Sequence, residues 1–435
     1  KNFFFFVIKF DSYSYDEQFL QEKMRLNIIL VFLSLFLTLF ILELFLILID
    51  YGRPHLSRWD MDGGVRHFES QSGYYVKESK QIITINSQGI RVPNDKKNYQ
   101  YYLKKPNDTF RILIFGDSMA EGLQVTFYER FSHVMETELN NCKYKPEDKV
   151  EIINFALSGT GQARQFEMQQ GFAKNYETDI ILAVAHSNDP RNNYKKLEPG
   201  VFYPYWTLEN GNINIDTSFR SNEVFLKKLK YSNLRMKIVN QSRVLQLLTQ
   251  GYEVYLKNKR IKSQKNYYKK LYGKPTYYWL TPDWNEAWEI FLAGFKMWSD
   301  KLASDNIPLY VSSSFFNDFF IPNNYWEKNF GDKKKNFDDL MKFESEKAGY
   351  KYLPVWSHMG KRPAELREFF SIHSYEQRSV LTGKRVKEVG EDLNENEYVK
   401  NSLGHYNSIG HREWGLKMAK ELCNVWKENK LNLEN

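Results

Sequence analysis

A serine at the end of a short apolar run is the residue whose type and position most directly suggest chemistry. The run Arg111–Phe115 has the composition of a buried strand, and the turn Gly116–Ser118 follows it. A serine placed there projects from the rim of a sheet, and its own N–H points into the same space. Because a serine hydroxyl is a weak nucleophile, Ser118 needs a base within hydrogen-bonding reach. The alternative is structural, since Asp and Ser are also good helix N-caps.

Three further polar stretches supply groups that a nucleophilic serine requires. Asn154–Gly161 contains glycines, which let backbone N–H groups approach a ligand closely. His186–Asp189 contains Asn188, whose side-chain N–H can stabilise a developing oxyanion, although Asn-Asp-Pro is also a common turn. Gly404–His411 contains two histidines and can supply the base, with an ordinary polar loop as the alternative.

The glycines at 159 and 161 also begin the pattern of a dinucleotide-binding loop. The third glycine of that pattern would fall at Arg164. The acid about twenty residues further on, Asp179, begins a strand, whereas a ribose-binding acid ends one. These two mismatches disfavour a dinucleotide site.

Alternating strands and helices are expected to position the polar stretches. The runs with strand composition are Arg111–Phe115, Val150–Phe155, Asp179–Ala185, Pro308–Ser312 and Tyr350–Val355. Apolar residues have helical spacing at about 127–139, 164–176, 284–303, 337–348 and 413–427. This order predicts a flavodoxin-like three-layer α/β fold, in which helices cover both faces of a parallel sheet. Ligands bind such sheets beyond the carboxyl ends of the strands, which is where the first three polar stretches lie.

An N-terminal apolar run predicts a membrane anchor. Leu26–Ile49 spans 24 residues, enough at about 1.5 Å per residue to cross a hydrocarbon core of about 30 Å. Glu43 is its one ionisable residue and lies toward the C-terminal end, where it can reach the interface or be protonated. No short apolar core with a small-residue cleavage site is present, so we interpret the run as an uncleaved transmembrane helix. Residues 1–25 precede it and include Met24, a candidate natural start.

Charge is unevenly distributed along the chain. The formal net charge is +8, and residues 223–270 hold thirteen Lys/Arg against two acids. Apolar residues recur there at helical spacing, which predicts amphipathic helices whose basic face suits anionic lipid headgroups or an acidic polysaccharide. A solvated helix face is the alternative. The chain has no zinc-finger spacing, RNP-like stretch or helix-turn-helix signature that would indicate nucleic acid as a partner.

The chain has two cysteines, Cys142 and Cys423. They are too few to form a metal cage alone, and neither has a partner at CxxC spacing. They can form one disulfide if the domain is exported, or remain as two unpaired packing residues.

Together, the four polar stretches resemble in order and spacing those of the SGNH (GDSL-like) hydrolase superfamily. The resemblance covers roughly residues 80–428. It includes Ile85–Arg91, which is similar to the segment that precedes the domain in membrane-anchored bacterial members. The resemblance implies that Ser118 is the nucleophile and His405 the base. His405 is preferred to His411 because the family's closing motif reads His-x-Asn-x-x-Gly-His, with the first histidine catalytic.

The resemblance also implies the donors that hold the oxyanion. They would be the backbone N–H of Ser118, the backbone N–H of Gly159 and the side chain of Asn188.

Two positions depart from the family's pattern. The family usually has an Asp two or three residues before its histidine, where this chain has Ser402 and Leu403. That Asp normally fixes the imidazole tautomer and stabilises the imidazolium. Without it, the site would work as a Ser-His dyad, borrow a carboxylate such as Asp392 or Glu391, or be weak. The second and smaller departure is His186, where many members have the glycine of GxND.

The resemblance implies a serine esterase that removes acyl groups, acetyl groups first among them, from a cell-surface glycan or lipid without a metal or organic cofactor. The same residues would serve an O-acyltransferase acting on a polysaccharide. A catalytically impaired glycan-binding or assembly protein is a third interpretation. Residues 50–105 would form a juxtamembrane and lead-in segment. Residues 106–430 would form the hydrolase domain, with an inserted basic helical region at about 200–280, on the periplasmic or extracellular side.

Overall fold

The computed structural model describes residues 11–76, 78–186, 188–198, 202–253, 255–256, 282–315, 325–331, 336–355, 370–372 and 403–434. The chain begins with a long helix, α1 (Asp11–Leu48). Its segment Phe19–Leu48 spans 30 residues, and the most apolar 18-residue window of this segment has a mean hydropathy of 2.8 and is not buried inside the protein. By length and composition α1 can cross a membrane, in agreement with the predicted apolar run.

The lead-in segment folds into small antiparallel sheets, which the sequence pattern did not predict. Its strands are β1 (Ser57–Asp60), β2 (Gly64–His67), β3 (Gln71–Tyr75), β4 (Gln81–Ile85) and β5 (Arg91–Val92). β1 pairs with β2, and β3, β4 and β5 form a second antiparallel sheet. The buried side chains of Ile83, Ile85 and Val92 hold this second sheet on the rest of the protein.

The centre of the protein is a five-stranded sheet in the order β12-β11-β8-β6-β7, in which each pair of neighbouring strands is parallel. The remaining strands of the described chain are β6 (Thr109–Phe115), β7 (Lys149–Asn154), β8 (Ile180–His186), β9 (Tyr205–Glu209), β10 (Asn212–Asp216), β11 (Leu309–Phe315), β12 (Lys351–Leu353), β13 (Phe370–Ile372) and β14 (Leu403–Tyr406). β6, β7, β8, β11 and β12 correspond to the predicted strands, so the predicted α/β fold class is confirmed.

Helices cover both faces of this sheet. The helices of the described chain that follow α1 are α2 (Ser118–Glu121), α3 (Phe131–Asn140), α4 (Gln162–Gln170), α5 (Asp189–Asn193), α6 (Glu223–Lys227), α7 (Asn233–Val239), α8 (243–253), α9 (Trp284–Ala303), α10 (Tyr325–Phe330), α11 (Phe337–Ala348) and α12 (Ser408–Glu434). A π-helical turn, Lys228–Ser232, joins α6 to α7. The predicted helix at 164–176 is shorter than expected: α4 ends at Gln170, and the following residue, Gly171, leaves the helical conformation with φ −82° and ψ −110°.

The alternation of side chains along β6 explains the two buried layers. Leu113 and Phe115 face one layer, whereas Ile112 and Ile114 face the other. The first layer is filled by α4, α9 and α11 through Phe166, Trp288, Phe291, Trp298 and Leu340. The second is filled by α3 and α12 through Phe131, Met135, Trp414 and Met418. Both faces of the sheet are therefore buried, and a ligand can reach the sheet only at its edges.

The region between β8 and α9 interrupts the alternation of strands and helices. It contains the hairpin β9–β10, whose Trp206 is fully buried against α9, and then the helices α6 to α8. Part of the predicted insertion at about 200–280 lies outside the described residues, which stop at 256 and resume at 282.

A disulfide joins the two cysteines that the sequence left unassigned. Cys142, just beyond α3, is bonded to Cys423 in α12, and their Cα atoms lie 6.1 Å apart. The bond closes a loop between residues 281 positions apart and fixes α12, which follows the residues of β14, against the sheet.

Removing this cross-link is expected to destabilise the protein by about 2–5 kcal/mol, because the unfolded chain regains the entropy of a long open loop. The double substitution Cys142→Ser with Cys423→Ser should lower the urea midpoint of unfolding. A reducing agent should lower the midpoint of the wild type and leave that of the variant unchanged. Equal midpoints for wild type and variant without reductant would contradict this expectation.

Candidate active site

The position of Ser118 is set by the turn that follows β6. Gly116 is required there because a β-carbon would lie 2.6 Å from the Ala120 Cβ and 3.2 Å from the Val184 Cβ. The Asp117 carboxylate caps α2 by accepting the Met119 N–H at 2.9 Å. The N-cap role that the sequence offered as an alternative is thus taken by Asp117. Ser118 is left half-buried at the first position of α2, at the carboxyl edge of the sheet.

His405 lies against this serine. Its Nε2 atom is 2.8 Å from Ser118 Oγ, a hydrogen-bonding distance across 287 positions of sequence. The neighbouring residue, Tyr406, fixes β14 at this place. Its hydroxyl donates to the Ser314 carbonyl at 2.7 Å, and its own carbonyl accepts from Gln124 Nε2 at 2.7 Å.

Glu78 completes a chain of three polar side chains. Both of its carboxylate oxygens lie 2.8 Å from Nδ1 of His405. The Glu78 side chain is only 2% exposed, and Tyr75 also forms a side-chain hydrogen bond with it. Since Nδ1 faces a carboxylate and Nε2 faces Ser118, the imidazole is oriented to accept a proton from the serine hydroxyl.

Glu78 was not predicted from the sequence. The carboxylates predicted to orient the histidine, Asp392 and Glu391, both lie outside the described residues. Glu78 comes instead from the lead-in, 327 positions before His405. The one available signal was indirect: the absence of an Asp before His405 indicated that an orienting carboxylate has to come from elsewhere in the chain.

The surroundings of His405 favour its protonated form. Burial by itself lowers the pKa of this histidine, but the hydrogen bond and negative charge of Glu78 act in the opposite direction, supported by Asp117 and Glu121. The net result is a pKa above the usual value of 6.5. A positively charged imidazolium at this position is therefore stabilised by the site.

His411, the second histidine of the closing motif, lies in the core. Its side chain is fully buried, stacks on Phe131 with a ring-centroid distance of 6.2 Å, and lies near Trp414. Burial, reinforced by the positive charge of Arg130, holds its pKa well below the usual range, so the ring is neutral. Of the two histidines, it is His405 that contacts the serine.

The loop after β7 places Gly159 at the same edge of the sheet. Gly159 has a φ of +71°, and a β-carbon built there would have no protein atom within 4 Å. The glycine is therefore needed for its backbone conformation and borders open space, where a ligand can approach. Arg164 Nη1 donates to the Gly159 carbonyl at 2.7 Å and fixes the peptide plane that follows.

A buried carboxylate holds this loop in place through hydrogen bonds. Glu121, the last residue of α2, accepts the Ser158 backbone N–H at 2.8 Å and also the Ser158 hydroxyl. Its other oxygen contacts Nε2 of His67 in β2 at 2.8 Å. Hydrogen bonds from His67 and Ser158 keep the pKa of Glu121 low, although burial alone raises it. The loop before Gly159 is thus tied to α2 and to the lead-in.

Asn188 follows β8 at the same edge. It is half-buried, and its Oδ1 atom is enclosed without a hydrogen-bond partner in the described part of the chain. The next residue, Asp189, accepts the His186 backbone N–H at 2.7 Å and a hydrogen bond from Gln162 in α4. These bonds join the loops after β7 and β8.

Comparisons with known proteins give only a remote likeness. No protein-family model matches the chain, and no curated protein sequence matches it. Among solved structures, the chain is similar to the lipase Lip_vut3 from a goat rumen metagenome, with 13% identity, a TM-score of 0.35, and coverage of 72% of this chain and 97% of the other. It is similar to the psychrotrophic esterase EstA from Pseudoalteromonas sp., with 12% identity, a TM-score of 0.31, and coverage of 76% and 100%. The acetyl xylan esterase AlAXEase gives 10% identity, a TM-score of 0.31, and coverage of 72% and 98%. Sequence identities and TM-scores this low do not assign an activity to the chain.

Proposed function

We propose that this chain is a membrane-anchored serine esterase of the SGNH/GDSL type, which removes acyl groups, acetyl groups first among them, from a glycan or lipid outside the cytoplasm. The observation that carries the proposal is the hydrogen-bonded chain Ser118–His405–Glu78, with 2.8 Å at each contact. A nucleophile, a base and an orienting carboxylate in this order are the requirements of acyl transfer through a serine. Glu78 stands in for the Asp that is missing before His405, which favours an active enzyme over a catalytically impaired binding protein.

The proposed reaction proceeds in two steps. Ser118 Oγ attacks the ester carbonyl carbon while His405 Nε2 accepts the hydroxyl proton. The tetrahedral intermediate then collapses, the bond to the alcohol oxygen breaks, and His405 returns the proton to that oxygen. Water attacks the acyl-serine in the second step with His405 again as base, which releases the carboxylic acid and restores the serine hydroxyl. Glu78 holds the imidazole in the required tautomer throughout.

The oxyanion would be held by the donors that the family resemblance implies. They are the Ser118 N–H at the start of α2, the Gly159 N–H in the supported loop after β7, and the Asn188 side chain after β8. Their elements end at one edge of the sheet, and preorganised donors of this kind lower the barrier by several kcal/mol.

One feature supports the membrane anchor, and another supports an extracytoplasmic site. α1 has the length and composition of a membrane-spanning helix. The Cys142–Cys423 disulfide is typical of domains that fold in an oxidising compartment.

The proposed activity can be tested with the full chain in detergent and p-nitrophenyl acetate as substrate. We expect released acetate and p-nitrophenol in equal amounts, and an unchanged rate when an acceptor polysaccharide is added. Acetyl groups that appear on the polysaccharide at the expense of free acetate would assign the same site to an O-acyltransferase. No turnover of any activated ester would contradict the proposal.

The loop after β7 gives a sharper test of the oxyanion assignment. Gly159→Ala is expected to cost about 1–2 kcal/mol of stability because φ is positive and to lower kcat about 10²-fold because a donor is displaced. Gly211→Ala is the matched control, since Gly211 also has a positive φ (+79°) with no atom within 4 Å but lies in the β9–β10 turn. The control should lose similar stability and keep its activity. Equal activity losses in both variants would contradict the assignment.

A further inference from the structure

The C-terminal end of α1 is joined to the protein by an unusual contact. The Glu43 carboxylate, inside the apolar segment of α1, accepts hydrogen bonds from the backbone N–H of Arg243 at 2.7 Å, the backbone N–H of Val244 at 3.0 Å and the Ser242 hydroxyl at 2.8 Å. These groups form the N-terminus of α8, so a carboxylate of α1 caps a helix that lies 200 positions later. The start of α8 is thereby fixed at the level of Glu43.

In a membrane that α1 crosses, Glu43 lies close to the boundary between acyl chains and headgroups. Glu43 precedes Leu48, the end of the apolar segment, by five residues, which is about 7.5 Å along a helix axis. Amphipathic helices that lie on membranes bury their apolar face about 5–10 Å into the boundary between headgroups and acyl chains. The start of α8 therefore lies at the depth of an interfacial helix.

Two amide side chains of this region face the protein. We call residues 223–253, which comprise α6, the π-helical turn, α7 and α8, the basic helical segment. The Asn240 side chain forms two hydrogen bonds with the backbone of His55: it accepts the N–H at 2.7 Å and donates to the carbonyl at 2.9 Å. The Asn233 side chain forms the same two hydrogen bonds with the backbone of Trp59, both at 2.8 Å. Amide side chains thus fix the segment to the chain that leaves α1.

A row of apolar side chains of the segment faces outward. Leu234 and Leu248 are 56% and 63% exposed. Other exposed apolar side chains of the segment are Leu226, Ile238, Leu245 and Tyr252. The segment also buries Phe225, Val239 and Val244, so it carries apolar side chains on two sides, whereas a helix on a water-soluble surface is apolar only on its inward side. An exposed apolar strip of this kind marks a contact with a membrane or another molecule.

Charge favours the membrane as the occupant. The segment contains six Lys/Arg against two acids. The exposed cations Lys227, Lys230, Arg235 and Lys237 lie on α6, the π-helical turn and α7, among the outward apolar side chains. Basic residues beside an apolar strip suit anionic lipid headgroups above acyl chains. An acidic polysaccharide would match the charges but would not account for the apolar side chains.

We propose that the basic helical segment lies in the headgroup region of the bilayer that α1 crosses, with its leucines at the acyl boundary and its lysines and arginines at anionic headgroups. The inference rests on the membrane anchoring included in the proposed function and adds a second contact. It fixes the height and tilt of the proposed hydrolase above the lipid surface.

The test uses the full chain, whose native cysteines are both in the disulfide, with one nitroxide-labelled cysteine at a time. Leu234→Cys and Leu248→Cys report on the segment, Phe36→Cys on α1, and Lys420→Cys, exposed on α12, on the solvent. The proteins are reconstituted in vesicles of phosphatidylcholine containing a quarter phosphatidylglycerol. Collision of the label with oxygen, which partitions into lipid, is compared with collision with a water-soluble nickel chelate.

We expect the labels at 234, 248 and 36 to collide preferentially with oxygen, and the label at 420 to collide with the nickel chelate. Labels at 234 and 248 that behave like the one at 420, while 36 remains in lipid, would overturn the proposal and leave the anchor intact. A water-exposed label at 36 would overturn the anchoring as well. Labels at 234 and 248 shielded from both reagents would assign the surface to a protein partner and also overturn the proposal.

Charge-reversal variants test whether the basic side chains of the segment recognise anionic headgroups. Reversal of Lys227, Lys230, Arg235 and Lys237 to Glu should raise collision of the 248 label with the nickel chelate several-fold in the mixed vesicles. The matched control reverses Lys301 and Lys342, which are exposed on α9 and α11, and should leave that label unchanged. Equal effects of the two sets, or an effect as large in vesicles of phosphatidylcholine alone, would contradict recognition of anionic headgroups.

Discussion

Ser118→Ala is expected to abolish ester hydrolysis, lowering kcat by about 10⁶-fold while leaving the fold intact. The hydroxyl lies 2.8 Å from His405 Nε2, so its removal takes away the group that the base can activate. Its removal costs little stability, because the side chain is only half-buried and α2 is capped by Asp117. The measurement is the rate of p-nitrophenyl acetate hydrolysis together with the urea midpoint.

A matched control separates this effect from a general loss of serine hydroxyls. Ser304→Ala removes a hydroxyl that is exposed at the end of α9 and bonded to the Lys301 carbonyl. It should keep the wild-type rate. A Ser118→Ala protein that retains more than a tenth of the wild-type activity would exclude Ser118 as the nucleophile.

Glu78→Gln is expected to lower kcat by about 10³–10⁴-fold, because an amide in place of the carboxylate favours the wrong imidazole tautomer and no longer stabilises the imidazolium. The pH profile should also move. In the wild type, kcat/KM falls as pH drops through the pKa of His405, which lies above 6.5. Without the Glu78 charge, burial continues to lower that pKa, so the acid limb of the profile shifts to lower pH.

Glu69→Gln provides the matched control for this change. Glu69 lies in the same lead-in but pairs with Arg58 and Arg66 instead of with a residue of the site. Its variant should keep both the rate and the pH profile of the wild type. A Glu78→Gln protein with an unshifted acid limb and a rate within threefold of the wild type would show that Glu78 has no part in orienting His405.

The sheet, and the location of three candidate site residues at its edge, could be predicted because they depend on local patterns. The strands are short apolar runs, and Ser118, Gly159 and Asn188 each follow the end of one of them by two to five residues. In a parallel sheet the carboxyl ends of the strands meet at one edge, so sequence position alone places these residues at a common edge. His405 was predicted from the spacing of its closing motif, which sequence resemblance supplied.

Glu78 could not be predicted, because no local pattern connects it to His405. It follows β3, in a lead-in whose strands are only two to five residues long and mix polar with apolar side chains. Such strands give little periodicity, and their pairing is set by tertiary contacts. A contact across 327 positions depends on how the lead-in docks, which only the structure shows.

The lead-in therefore belongs to the site as much as the sheet does. Besides Glu78, it contributes His67 to the Glu121 carboxylate and Arg91 to the turn after α2. The guanidinium of Arg91 is buried and donates to the Gly122 carbonyl at 2.6 Å and to the Val125 carbonyl at 2.6 Å. A chain that starts at residue 106 would lack all three groups, so activity should be measured on protein that retains the lead-in.

The most direct measurement is covalent labelling of the nucleophile with a fluorophosphonate, followed by peptide mass spectrometry. A serine activated by a base attacks phosphorus and releases fluoride, so the adduct marks the reactive hydroxyl. We predict one adduct, on Ser118, in the wild type, and its near-complete loss in His405→Ala. An unlabelled Ser118 in folded wild-type protein, or equal labelling of Ser118 in His405→Ala, would contradict the assignment of a serine nucleophile activated by His405.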